Sequence, residues 1–192
     1  MRFGDERGLA NVGRTGARPV TLREALLDIT KQYTGLAVGE QVAAVRTLAE
    51  IGPHSIRAIR TVDLHDVRSW RFNCHAFTFG LWQRDEFWRL QDTHPDAWPD
   101  GVFVVRHLLQ AMSSVPPAEV PDEVAVLYFE GDQLKHSGLQ RRESVQSKWG
   151  DCHTWEHGLF EVPASYGERV AFYVIPPVDV VVDAYVRFAT AA

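Results

Sequence analysis

The chain has 192 residues, of which 45% are hydrophobic and 11% aromatic, with a formal net charge of −5. That apolar content can build a core and excludes a disordered polypeptide. The acidic balance excludes a protein that works mainly by neutralising nucleic-acid phosphates or by docking on an anionic membrane surface, and no apolar run approaches the ~20 residues that span a bilayer.

The opening segment, MRFGDERGLANVGRTGARPV, is rich in Gly and Arg and has no period, so residues 1–20 are expected to form a loose arm. It lacks the apolar stretch of a secretory signal, and the expected location is cytoplasmic. Two cysteines in that setting are expected as thiols rather than a disulfide. Residues 21–192 are expected to form a single domain.

Thr21 followed by Glu24 makes a capping box, and Leu22, Leu26, Ile29 and Tyr33 keep helical spacing behind it. GEQVAAVRTLAEIG predicts a second helix stopped by Gly52, and PHSIRAIR a short third helical piece. VDLHDVRSWRFN is a connector. From Cys74 to about Leu90 one helix is expected, with Phe77, Leu81, Phe87 and Leu90 buried; two prolines in THPDAWPDG break it. VFVVRHLLQAM is a further helix and SSVPPAEVPDE a turn-rich link. The period then changes. EVAVLYF, QLKHSGLQ and SVQSKWG predict three strands joined by turns at EGD and RRE, and RVAFYVI predicts another. VDVVVDAYVRF closes the chain as a strand or a short helix. Helices first and strands later is the α+β pattern.

The chemistry centres on RFNCHAFTFGLW. Asn73 is a favoured N-cap, which makes Cys74 the first residue of a helix. Free N–H groups and the helix dipole there favour a thiolate, with a pKa below that of a free thiol. A nucleophilic cysteine needs a base. His136, on a predicted strand beside a small Ser-Gly step, is the candidate. His75 is expected in a packing or surface role, because the helix turns it away from Cys74. Cys152, His153 and His157, with Cys74, could supply zinc ligands, but no C-x-x-C knuckle accompanies them, so no metal is expected.

NCHAFTFGL followed by PDEVAVLYFEGDQLKHSGL resembles the papain-like NlpC-type cysteine peptidases and their CHAP relatives. There a cysteine opens the central helix and a strand-turn-strand delivers the histidine. HSG stands in the place of the family's HVG. SKWG and the SYG of 165–167 resemble elements of uncharacterised bacterial members, and the match covers roughly residues 70–175. The resemblance implies a papain-like α+β fold, with N-terminal helices and the catalytic helix packed on an antiparallel sheet of about five strands. It implies a Cys-His hydrolase or transferase acting on an amide or related acyl group, with no cofactor. A protein or peptide substrate is expected, and neither nucleic acid nor membrane as partner.

The third catalytic position is the departure from the family. With Arg141-Arg142 as a two-residue turn, His136 faces Ser147 across the hairpin, and SKWG, which resembles a papain-type NSWG, puts Ser147 in the orienter position again. Trp149 would shield that contact. His157, arriving from the loop after Trp155, is the alternative orienter. Lys148, one of three lysines, could bind a substrate carboxylate. A deamidase, an acyltransferase and a non-catalytic binding module on the same fold are the competing expectations.

Overall fold

The expected capping box forms. Thr21 N–H donates to Glu24 Oε2 (2.9 Å) and Glu24 N–H donates to Thr21 Oγ1 (3.3 Å), which starts helix α1, Leu22–Lys31. The computed structural model describes residues 20–31, 38–63, 65–150 and 153–191. All but the last residue of the expected arm, as well as Tyr33 and Cys152, lie outside the described residues.

The architecture is α+β. Helices α2 (Val38–Thr47), α3 (Val67–Trp70), α4 (Cys74–Thr78), α5 (Asp85–Thr93), α6 (Gly101–Phe103) and α7 (Val178–Ala191) accompany seven strands. These are β1 (Arg57–Arg60), β2 (Ser114–Val115), β3 (Glu123–Glu130), β4 (Gln133–Arg141), β5 (Ser144–Lys148), β6 (Thr154–His157) and β7 (Arg169–Tyr173). They form one antiparallel sheet in the order β1-β6-β5-β4-β3-β7-β2.

Several expectations are corrected. Among the described residues the sheet has seven strands, not about five. PHSIRAIR contains β1, not a helix, because residues 57–60 pair with β6 at the sheet edge. VDVVVDAYVRF, which the sequence left open between strand and short helix, is helix α7, whose Val181, Ala184 and Tyr185 enter the core on one face. The helix expected from Cys74 to Leu90 is interrupted. Gly80 sits at φ +73°, a left-handed conformation, and it ends α4 and separates it from α5.

Strand β3 alternates between two cores. Ala125, Leu127 and Phe129 meet Phe87, Phe103 and Tyr185 from the later helices. Val124, Val126 and Tyr128 face the other way, toward Val145 and Val162. On that second face Trp149 and Trp155 receive Leu26, Val45 and Leu48 from α1 and the α2 region. Each fully buried side chain of this size contributes about 1.5–3 kcal/mol.

One irregularity positions the site. Tyr128 pairs with His136 and Phe129 with Leu134, so Lys135 is an extra, bulged residue on β4. The bulge sends Leu134 to the face covered by α5 and α7 and His136 to the opposite one.

Candidate active site around Cys74

Asn73 caps α4 as expected. Its Oδ1 accepts from Ala76 N–H at 2.9 Å, and its Nδ2 donates to the Pro99 carbonyl at 2.9 Å. Cys74 is therefore the first residue of the helix. It and His136 line one cavity of about 310 Å³, together with His75, Asp100, Gly150 and Tyr166. Two distant segments, the start of α4 and the bulged end of β4, are brought to the same place.

The electrostatics differ from the expectation. Burial pushes the Cys74 thiol up to about 11, against the opposing pull of the Ser137 N–H and hydroxyl and of the N–H groups of His75 and Cys74 itself. A five-residue helix has only a small dipole, and desolvation of the charged form wins. Although the residue as a whole is only half-buried, this desolvation favours a thiol at rest over a thiolate. His136 is also neutral at rest. Burial, and then the nearby His157 and His75, hold its pKa well below the ordinary imidazole value.

The His136 ring is held by aromatic neighbours. Tyr166 stacks on it with centroids 3.9 Å apart and planes 14° from parallel, and Tyr128 lies 5.5 Å away, tilted. Tyr128 is itself fixed, because its hydroxyl donates to the Leu159 carbonyl at 2.9 Å. Tyr166 is delivered by Gly167. A Cβ on that glycine would come within 2.3 Å of the Phe129 carbonyl oxygen, and its φ is +92°. Tyr166 stood in the SYG element without an assigned role. The glycine beside it was the only local sign of a constrained backbone.

Ser147 does not orient His136. The hairpin turn is Arg142-Glu143, with Arg142 at φ +56°, so the strand register differs by two residues from the expected one. Ser147 then falls opposite Gly138 and forms a different chain of hydrogen bonds. His157 Nδ1 lies 2.8 Å from the Gly158 carbonyl and must donate to it. Burial lowers the His157 pKa to about 4, so the ring is neutral and Nε2 is an acceptor. Ser147 Oγ, 2.8 Å away, donates to that nitrogen and accepts from Trp149 Nε1–H at 3.0 Å. His157 lies on strand β6, not in a loop. Among the described residues the buried Nε2 of His136 has no hydrogen-bond partner, so neither expected orienter, nor Cys74, hydrogen-bonds to that nitrogen.

The remaining candidates also find places. Trp149 is buried and stacks on Trp155 at 5.0 Å. Lys148 is fully buried with Nζ 4.7 Å from the Phe72 ring centroid and does not line the Cys74 cavity, so it is not placed to meet a substrate carboxylate there. His75 is buried in a packing position, with Nδ1 2.8 Å from Ser137 Oγ; burial lowers its pKa to about 4. Ser137 thus touches both Cys74 and His75, a role that the sequence had not marked. His153 accepts from Val62 N–H through Nδ1 at 3.1 Å. Among the described residues no group of three or more His, Cys, Asp or Glu side chains could hold a metal ion, and no helix is long and apolar enough to cross a membrane. No family model, curated protein or solved structure matches the chain.

Proposed function

We propose that the chain is a papain-like thiol hydrolase, related to the NlpC and CHAP groups, that cleaves an amide or peptide bond through Cys74 and His136. The observation that carries this reading is the shared cavity. A helix-opening cysteine, capped by Asn73, lines the same cavity as a strand histidine whose Nε2 is buried without a partner among the described residues.

Because both groups rest neutral, the reaction begins as general-base catalysis rather than from a preformed ion pair. His136 takes the thiol proton as Cys74 Sγ bonds to the carbonyl carbon. The carbonyl electrons move to oxygen, where the Cys74 N–H at the helix start is a donor for the oxyanion. Collapse breaks the C–N bond, and the leaving amine takes the proton from His136. Water, deprotonated by the same imidazole, then splits the thioester. An amine in place of water gives transfer, and a side-chain amide as substrate gives deamidation. A protein or peptide substrate in the cytoplasm fits the charge and the sequence pattern.

A second reading, a non-catalytic binding module, is favoured by one observation: no orienter contacts His136 among the described residues. Incubation with a peptide library, read by mass spectrometry, separates the two. Cleavage or deamidation lost in both Cys74→Ala and His136→Ala supports the enzyme. Retained peptide binding with no product in any condition supports the module.

A further inference from the structure

A cavity of about 610 Å³ lies at the other end of α4 from Cys74, and that volume suits a small organic ligand. Its floor is the sheet face formed by Leu139, Gln146, Thr154 and Arg60 on four adjacent strands. Its roof runs from the end of α4 through Trp82.

Charge is concentrated here against the trend of the chain. Arg60, Arg84 and Arg141 line the cavity with one carboxylate, Glu123, in a protein of net charge −5. Arg141 is committed to Glu123 at 3.3 Å and Arg84 to Asp179 at 3.1 Å. Arg60 has no carboxylate partner among the described residues; its guanidinium lies 4.6 Å from the Trp82 ring centroid. Trp82 is stacked by Phe72, 5.2 Å away and nearly parallel. The Arg60 fork is therefore pre-set on a rigid aromatic support, with its hydrogen-bond donors uncommitted.

A second, independent observation points to a ligand. Thr78 also lines the cavity. It is 4% exposed, and its Oγ1 is buried without a hydrogen-bond partner among the described residues. A helical threonine usually returns its hydroxyl to a carbonyl one turn back. Buried polar atoms are normally satisfied, and this one belongs to a residue of the cavity wall.

We propose that this cavity is a binding site for a small amphipathic oxyanion, its charged group on the Arg60 fork and the Thr78 hydroxyl, and its apolar body against Leu139 and Ile175. The site is separate from the Cys74 cavity and does not depend on the thiol chemistry. Titration of the intact protein with 4-phenylbutyrate, phenyl phosphate and the neutral 4-phenylbutyramide, followed by the Trp82 indole resonance and by calorimetry, tests it. At least one anion binds with a sub-millimolar Kd, and which of the two binds identifies the oxyanion as carboxylate or phosphate. The amide binds at least ~10-fold more weakly. Arg60→Gln, which keeps the stem and removes the charge, weakens the anion at least ~10-fold, and Thr78→Val weakens it several-fold, both with unchanged circular dichroism. Binding of the amide as tight as that of the anion, an unchanged Kd in Arg60→Gln, or no response to either anion overturns the proposal.

Discussion

Tyr166 lies flat on His136, with ring centroids 3.9 Å apart and planes within 14°. The stack covers one face of the imidazole with a large ring. It contributes to the burial that keeps the histidine neutral. The geometry implies that Tyr166 holds the His136 ring in place, where no hydrogen bond among the described residues reaches its Nε2.

Tyr166→Ala is therefore expected to expose the ring and move the His136 pKa up toward the ~6.5 of a free imidazole. Tyr166→Phe keeps the stack and should leave it unchanged. Titration of the imidazole proton resonances measures both. An unmoved His136 pKa in Tyr166→Ala would show that the stack contributes nothing to its environment.

Cys74 should alkylate slowly at neutral pH. In a Cys152→Ser background, the iodoacetamide rate is expected to climb about tenfold per pH unit from pH 7 to pH 9, with a midpoint near 11. The adduct is followed by mass spectrometry. A rate that levels off by pH 8 would mean that a thiolate is already present at rest and that burial does not dominate.

Ser147 now has a structural role. Ser147→Ala leaves the Trp149 indole N–H and the acceptor nitrogen of His157 unpaired in a buried site, at a cost of about 1–3 kcal/mol. The urea midpoint should fall accordingly. Turnover per folded molecule should change less than about twofold, whereas Cys74→Ala and His136→Ala should abolish it. A loss of ~10-fold or more in turnover of fully folded Ser147→Ala would place Ser147 back in contact with His136.

The protein is expected to be acid-sensitive. His75 and His157 are held near 4 in the folded state and His136 is also lowered, mainly by burial. The unfolded chain then binds more protons than the folded one between the folded values and ~6.5. Stability is fully present above about pH 6.5 and is lost as pH falls toward 4, by up to about 1.4 kcal/mol per pH unit for each histidine. The raised Cys74 acts at the other end. Its contribution is present below about pH 9 and is lost as pH rises toward 11. Urea melts from pH 4 to pH 10 measure both limbs. A flat profile from pH 6.5 to pH 4 would contradict the burial of these rings.

What the sequence by itself determined was local. The Thr21–Glu24 box, the Asn73 cap that makes Cys74 a helix-opening residue, and the β3–β4 hairpin are written in adjacent side chains, because caps and alternation act over a few residues. Only the tertiary structure decided the rest. Residues 57–60 become a strand because the β6 edge offers partners nearly 100 residues away. A hairpin turn moved to Arg142-Glu143 shifted the register by two residues and took Ser147 from His136 to His157. Tyr166 reaches His136 from 30 positions downstream. The charge state of Cys74 is set by how much water the packed chain removes from its sulfur. Local pattern carries no record of that quantity, because desolvation is a property of every element that closes around the site.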